Sequence, residues 1–392
     1  MRVHLRGVAA TLAAVALALA AGSCASAPRT AAPPPGARGI DVDFLFSYYD
    51  QDGEHSAVTG GTGSEAQQVL SPVVLVSWAV SEDWSLRTDL GVDQVTAASV
   101  DAIDAEVSSA SRVDQRAFTD LTATRRIGER STVSYRLGLS NEYDYQSVSA
   151  GIGYALDLNE RNTTLSANLR HYEDTVKLYD IDGVNRGDDG RRTTDLAIAA
   201  TQVLGRRTLG SLELDYTLQS GFLSTPFHEV ILHPAGGGEV HVAERLPDSR
   251  RRAALGLGLD HAFGDRVVQK LTYRFYDDDW GIRAHTIAAE THFRLPLAAE
   301  TWVFPILRYH RQTASDHFGT AGSFTGSERF FTSDWDLAEI ATTKYGLGLR
   351  GTLQAGRRWR LGLRRYETRF TLFSRDDGLD GLIASVGLGW SW

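Results

Sequence analysis

The sequence predicts an all-β fold: a transmembrane antiparallel β-barrel of about sixteen strands, with about fourteen as the alternative count, long extracellular loops and short periplasmic turns. Three observations carry this. Apolar residues recur with period two, most cleanly in Leu212, Leu214, Tyr216 and Leu218, which alternate with Ser211, Glu213, Asp215, Thr217 and Gln219. A helical stripe would repeat at about 3.6 residues. Mean hydropathy is only -0.22, and beyond the N-terminal segment no apolar run reaches the roughly 18 residues of a spanning helix. A barrel accommodates low hydropathy, because every second strand residue faces a watery lumen. Finally, the connections between candidate strands differ in length from one end to the other.

Residues 1–27 read as an export signal, in which Arg2 and Arg6 precede an apolar run from Val8 to Ala21 that is too short to span. The only cysteine, Cys24, follows Ala21-Gly22-Ser23. A lipoprotein signal would end before it and leave its thiol acylated, whereas cleavage after Ala25 would remove it. In both cases the mature chain lacks a cysteine pair for an internal disulfide. Residues 28–39, rich in Pro and Ala, form a semi-extended tether with nothing to build a core, and residues 40–392 form the barrel.

Strands follow in order near Asp41–Tyr49, Val73–Ser81, Trp84–Val92, Ala117–Arg125, Val133–Leu139, Val148–Leu158, Thr164–Tyr172 and Thr194–Leu204. The second half gives Leu212–Phe222, Leu255–Phe263, Val267–Phe275, His285–Leu297, Trp302–Arg311, Tyr345–Leu353, Trp359–Phe373 and Leu382–Trp392. The last places Leu382, Ala384, Val386, Leu388 and Trp390 on one face, with small and polar residues on the other. Its final aromatic, Trp392, resembles the C-terminal signal by which bacterial barrels are recognised by their assembly machinery. Segments such as Ser81–Asp83, Gly128–Arg130 and Gly264–Arg266 are short turns. Asp50–Glu65, Thr96–Asp114, Lys177–Arg191, Leu223–Arg250 and Ala314–Thr343 are long loops. Both termini then lie on the periplasmic side of the outer membrane of a Gram-negative bacterium.

The net charge is -9, which disfavours nucleic acid as a partner. Acidic residues gather in the expected outer loops, as Asp50, Asp52 and Glu54 and as Asp180 and Asp182 beside the amide of Asn185, with further groups at Asp277–Asp279 and Asp376, Asp377 and Asp380. Closely spaced oxygens around a turn glycine suit calcium, and the first two groups are the candidate metal ligands. The alternatives are solvated Asp-Gly turns or divalent-ion bridges to lipopolysaccharide. A hairpin turning at Gly237 would set His233 opposite His241, beside Glu239, as a two-histidine metal site. Catalysis is not expected, because no Gly-x-Ser-x-Gly or His-Glu-x-x-His motif is present. Alternation places Arg87, Asp89, Arg136, Arg170, Glu213, Asp215, Lys270, Arg274 and Arg350 on the lumen face. This mixed lining suits an aqueous pore unless the long loops fold inward. Loop carboxylates at the mouth would favour cations, and the luminal arginines and lysines oppose them.

The stretch Val42 to Glu65, with its Tyr48-Tyr49-Asp50-Gln51-Asp52-Gly53-Glu54-His55 core, resembles the signature of an uncharacterised bacterial family, the domain-of-unknown-function family thirty-five seventy. Asp93 to Asp104 and Val107 to Ser111 are similar to a second block of it. The family carries no established activity and lends no catalytic residue. Its members accompany small lipoproteins, thioredoxin-like proteins and flavin-attaching enzymes, so the resemblance implies a lipoprotein or periplasmic redox partner in the envelope. Without a CxxC or haem-attachment motif, this chain would be conduit or scaffold there, not electron carrier. The expected function is a pore or conduit for small or ionic solutes, and the alternative is a non-conducting scaffold.

Overall fold

The computed structural model describes residues 39–97, 114–179, 184–297, 299–353 and 362–392. The export signal, Cys24, and all of the tether but Gly39 lie outside them. Sixteen strands close into one antiparallel barrel. They are β1 (Gly39–Asp52), β2 (Gln67–Ala79), β3 (Trp84–Ala97), β4 (Asp114–Ile127), β5 (Ser131–Asn141), β6 (Tyr145–Leu158), β7 (Thr163–Tyr179), β8 (Asn185–Gly205) and β9 (Thr208–Gly221). After a two-stranded loop hairpin, β10 (Glu229–Leu232) and β11 (Val240–Ala243), the wall continues with β12 (Ser249–Phe263), β13 (Val267–Asp278), β14 (Arg283–Arg294), β15 (Thr301–Gln312), β16 (Ile340–Thr352), β17 (Leu363–Arg375) and β18 (Asp380–Ser391). The seam is β1 on β18, in register from Asp41 opposite Ser391 to Asp52 opposite Asp380.

Strict alternation makes this register a sorting device, since neighbouring partners across the wall point the same way. One row runs Asp43, Leu75, Asp89, Asp120, Gly138, Ser149, Tyr172, Thr193, Gln219 and Arg250 across consecutive strands, and it faces inward. The opposite parity carries bare aliphatic side chains, among them Leu137, Val148, Ile287 and Leu347, the last 60% exposed. Arg87, Asp89, Arg136, Arg170, Glu213, Asp215, Lys270, Arg274 and Arg350 all fall on the inward parity, as the alternation predicts.

Two prolines mark interruptions of the ladder. Pro72 pairs with Phe46 on β1, but the β2–β3 ladder skips from Leu70/Gln94 to Val73/Gly91. Pro305 pairs with Leu347 on β16, while the β14–β15 ladder skips from Glu290/Ile306 to Phe293/Val303. A residue without an N–H can sit in a wall only where one side gives up its bonds.

The two ends differ, though less uniformly than the sequence predicts. Of the eight connections at the loop end, 142–144, 279–282 and 376–379 are as short as turns at the other end. Most of the expected loop Lys177–Arg191 is strand: Val176 pairs with Asp189 and Lys177 with Asp188, so β7 and β8 continue as a long hairpin. The backbone there offers its hydrogen bonds across the pair, which outweighs the weak strand propensity of Asp and Gly.

Inside the wall near the turn end, Phe304 is fully buried, stacks on His292 with centroids 4.2 Å apart, and lies under Arg369. Gly348 on β16 faces that ring so closely that no Cβ fits without moving it. Gly348→Val is therefore expected to cost about 1–3 kcal/mol through overpacking, read as an earlier unfolding midpoint in urea. An unchanged midpoint would show that Phe304 moves aside freely.

Candidate functional site

Three loops meet over the lumen. The first, 53–66, is compact, and Val58 and Gly60 offer carbonyls to the other two: Glu229 N–H donates to Val58 at 2.7 Å and Trp335 Nε1–H to Gly60 at 2.7 Å. The second, 222–248, holds β10 and β11, and the third is 313–339. They interlock by short bridges, Arg245 with Phe331 in both directions and His233 N–H to the Phe324 carbonyl at 2.8 Å. Val230, Leu232 and Phe331 form a small apolar core with Val242 and Phe324, while Thr332 and Ser333 are wholly buried. Glu244 ties the second loop to the third, accepting from the Thr332 hydroxyl at 2.5 Å and from the Thr225 N–H at 2.6 Å. Burial pushes its carboxyl above the usual range.

This cap is fastened to the wall by buried charge. Arg375, at the loop end of β17, reaches Asp336 of the third loop at 2.6 Å, Asp377 at 2.6 Å and Glu65 of the first loop at 3.7 Å. Three carboxylates around one guanidinium leave excess negative charge, and the protons adjust. Burial, reinforced by Asp336, Asp377 and Asp334 and opposed by Arg375, pushes Glu65 up to about 8. Burial and then Asp336 hold the Asp334 carboxyl well above its ordinary range. On another wall Arg250 clamps Asp278 at 2.5 Å and lies 4.2 Å over the Trp280 ring. Trp280 in turn accepts from Asp316 N–H and the Ser315 hydroxyl of the third loop.

Beneath the cap lies a cavity of about 510 Å³, lined by residues of β2–β9 and β12, by residues 223–226 and Leu246 of the second loop, and by Asp334, Asp336 and Leu337 of the third. That loop therefore folds inside the rim. Its charge is mixed, with Arg116, Arg170, Arg191, Arg250 and Arg252 facing carboxylates such as Asp93, Asp120, Asp174 and Asp195.

Of the two groups expected to ligate metal, Asp50, Asp52, Glu54 and Asn185 are among the described residues. Asp50 and Asp52 share the outward parity of β1, where Asp50 accepts from the Tyr48 hydroxyl at 2.7 Å and Asp52 from Ser64 at 3.2 Å. Glu54 lines a separate open hollow above the cap with His55, Trp335, Glu339, Asp376 and Asp377. Asn185 turns its side chain back on Gly187 N–H at 2.7 Å. Asp101, Asp104, Asp180 and Asp182 lie outside the described residues. Among the described residues no group of three or more His, Cys, Asp or Glu is placed to hold a metal ion. The loop-end carboxylates Asp278 and Asp377 are taken by arginines.

The histidine pair is corrected: His241 stands opposite Ile231, because the chain turns at Pro234–Gly237, where Gly237 N–H donates to the Pro234 carbonyl at 2.9 Å. His241 bonds Glu229 at 2.8 Å instead. The expectation placed Arg250 in a loop and ended the strand Trp359–Phe373 short of Arg375; Arg250, Arg252 and Arg375 are inward residues near strand ends. Continuing each alternation by a few residues would have found them.

The fold and its filled mouth define a class, closed sixteen-strand barrels with a charged lumen under an inward-folded loop cap. Within it, residues 8–389 match the family model described as protein of unknown function DUF3570, and the chain belongs to that family. No curated protein matches significantly. Solved structures with a similar fold include a bacterial polysaccharide outer membrane secretin (10% identity, 90% of this chain and 98% of that one, TM-score 0.47). Others are a BenF-like porin from Pseudomonas fluorescens Pf-5 (7%, 90% and 99%, 0.45) and the outer membrane protein OpdK from Pseudomonas aeruginosa (9%, 91% and 100%, 0.42).

Proposed function

We propose that the chain spans the outer membrane of a Gram-negative bacterium and conducts small or ionic solutes through a lumen constricted by its loop cap. The carrying observation is the pairing of an apolar outer surface with a charged interior that holds a cavity of about 510 Å³ under the cap. Aliphatic residues at 40–60% exposure on alternate positions are costly in water and suited to lipid. The interior parity is unsuited to lipid, and a sixteen-strand wall is wide enough for water. Lipopolysaccharide and the barrel-assembly machinery are the partners this location brings.

Planar-bilayer recording tests the reading. Purified protein should give discrete conductance steps in potassium chloride. Silence, together with co-purification of a lipoprotein or periplasmic redox protein, would favour the scaffold, for which the interlocked cap is the supporting feature.

A further inference from the structure

Five arginines line the cavity beneath the cap, and four have a carboxylate of their own. Arg116 pairs with Glu142 at 3.3 Å and Asp93 at 3.7 Å, Arg170 with Asp120, Arg191 with Asp174 at 3.5 Å, and Arg250 with Asp278 at 2.5 Å. Arg252 differs. It sits on the inward row of β12, between Thr217 of β9 and Asp278 of β13. Its Nε is completely shielded and has no hydrogen-bond partner, and among the described residues no carboxylate lies within ion-pair distance of it.

The nearby acids are committed elsewhere. Asp278 receives two N–H groups of Arg250, the Tyr276 hydroxyl, and the N–H groups of Trp280 and Ile282. Asp195, beyond Thr217 on the same row, accepts the Thr217 hydroxyl at 2.7 Å. Arg250 and Arg191 add their own positive fields to that of Arg252, and Asp278 and Tyr276 offset them in part. A guanidinium with a shielded, unbonded Nε and no carboxylate in direct contact is costly, and its planar fork is shaped for two oxygens of one oxyanion.

We infer that Arg252 is the docking point for the singly charged carboxylate head of a small solute within the lumen. The inference rests on the conduit reading and specifies the solute class. Asp195 and the arginine-paired carboxylates around the cavity repel a second negative charge, so monoanions are preferred over dianions. The remainder of the solute faces Tyr172, Thr193 and Gln219, which also line the cavity.

Titration calorimetry on the full-length barrel in detergent at low salt tests this with butyrate, butyramide, butylamine and succinate. Butyrate should bind saturably, the neutral and cationic isosteres should not compete, and succinate should bind more weakly. Arg252→Gln should weaken butyrate about tenfold, the loss expected for one charge-assisted contact. Arg136→Gln, which alters a luminal arginine outside the cavity lining, should bind as wild type. Heat-modifiable gel mobility verifies that both variants are folded. No butyrate binding, equal binding by Arg252→Gln, or effective competition by butyramide would overturn the inference. Bilayer conductance without butyrate binding would sink the docking point and leave the conduit standing; binding without conductance would do the reverse.

Discussion

Arg375→Ala should release the cap and raise single-channel conductance at least about twofold, with the barrel wall intact. The guanidinium is the common counter-charge of Asp336, Asp377 and Glu65, and its own side chain is only 6% exposed. Removing one partner from a buried ionic group costs about 3–5 kcal/mol, more than a loop held by a few bridges can absorb. Amide hydrogen exchange in 313–339 should accelerate, while exchange in the strands should not. Unchanged conductance and exchange would mean that the apolar core around Val230 and Phe331 holds the cap alone. The same cluster gives a pH dependence. The carboxyl of Glu65 is raised from 4.5 to about 8 with the cap docked, and that of Asp334 is also raised. Their contribution to docking is fully present below the ordinary carboxylate range and is lost as pH rises through the docked values. Protection of the loop amides relative to their intrinsic, base-catalysed exchange rate should therefore fall between about pH 5 and 9, and protection that rises at alkaline pH would contradict the sign.

Deleting Trp392 should lower the amount of folded barrel in the outer membrane about tenfold or more, an effect of recognition and not of stability. The residue's backbone pairs with Ile40 through bonds of 3.0 and 3.3 Å, while its indole is 64% exposed. Losing two such bonds costs about 1–3 kcal/mol, little beside a wall of sixteen ladders. Protein refolded in detergent should therefore melt near wild type although cells assemble little of it. If the refolded variant melts far earlier, the seam itself depends on that residue. If cells insert it normally, the terminal aromatic is no signal.

The wall was legible because alternation is a local property: Leu212 to Leu218 declare their faces without knowing their neighbours. Lumen residues such as Arg170 and Arg274 follow from the same parity. The cap was not legible in this way. Its contacts join Val58 to Glu229, Gly60 to Trp335 and Arg245 to Phe331, and no periodicity links such distant segments. Acidic residues such as Asp278 and Asp377 were legible as charge, but not their partners, Arg250 and Arg375 at strand ends. Residue type announced the charge, and only the closed geometry identified its partner.

Closure also dictates an order of events. Neighbouring hairpins can zip as they emerge, but β1 meets β18 only after every intervening strand is placed, at a sequence separation of more than three hundred residues. The second and third cap loops leave the rim between β9 and β12 and between β15 and β16, on strands that follow one another in the chain, whereas the first, between β1 and β2, reaches them only across the β1–β18 seam. It joins the other two only when the circle is complete. An unfinished or laterally opened barrel thus has no means of sealing its own mouth, and the assembled cap records that the wall has closed.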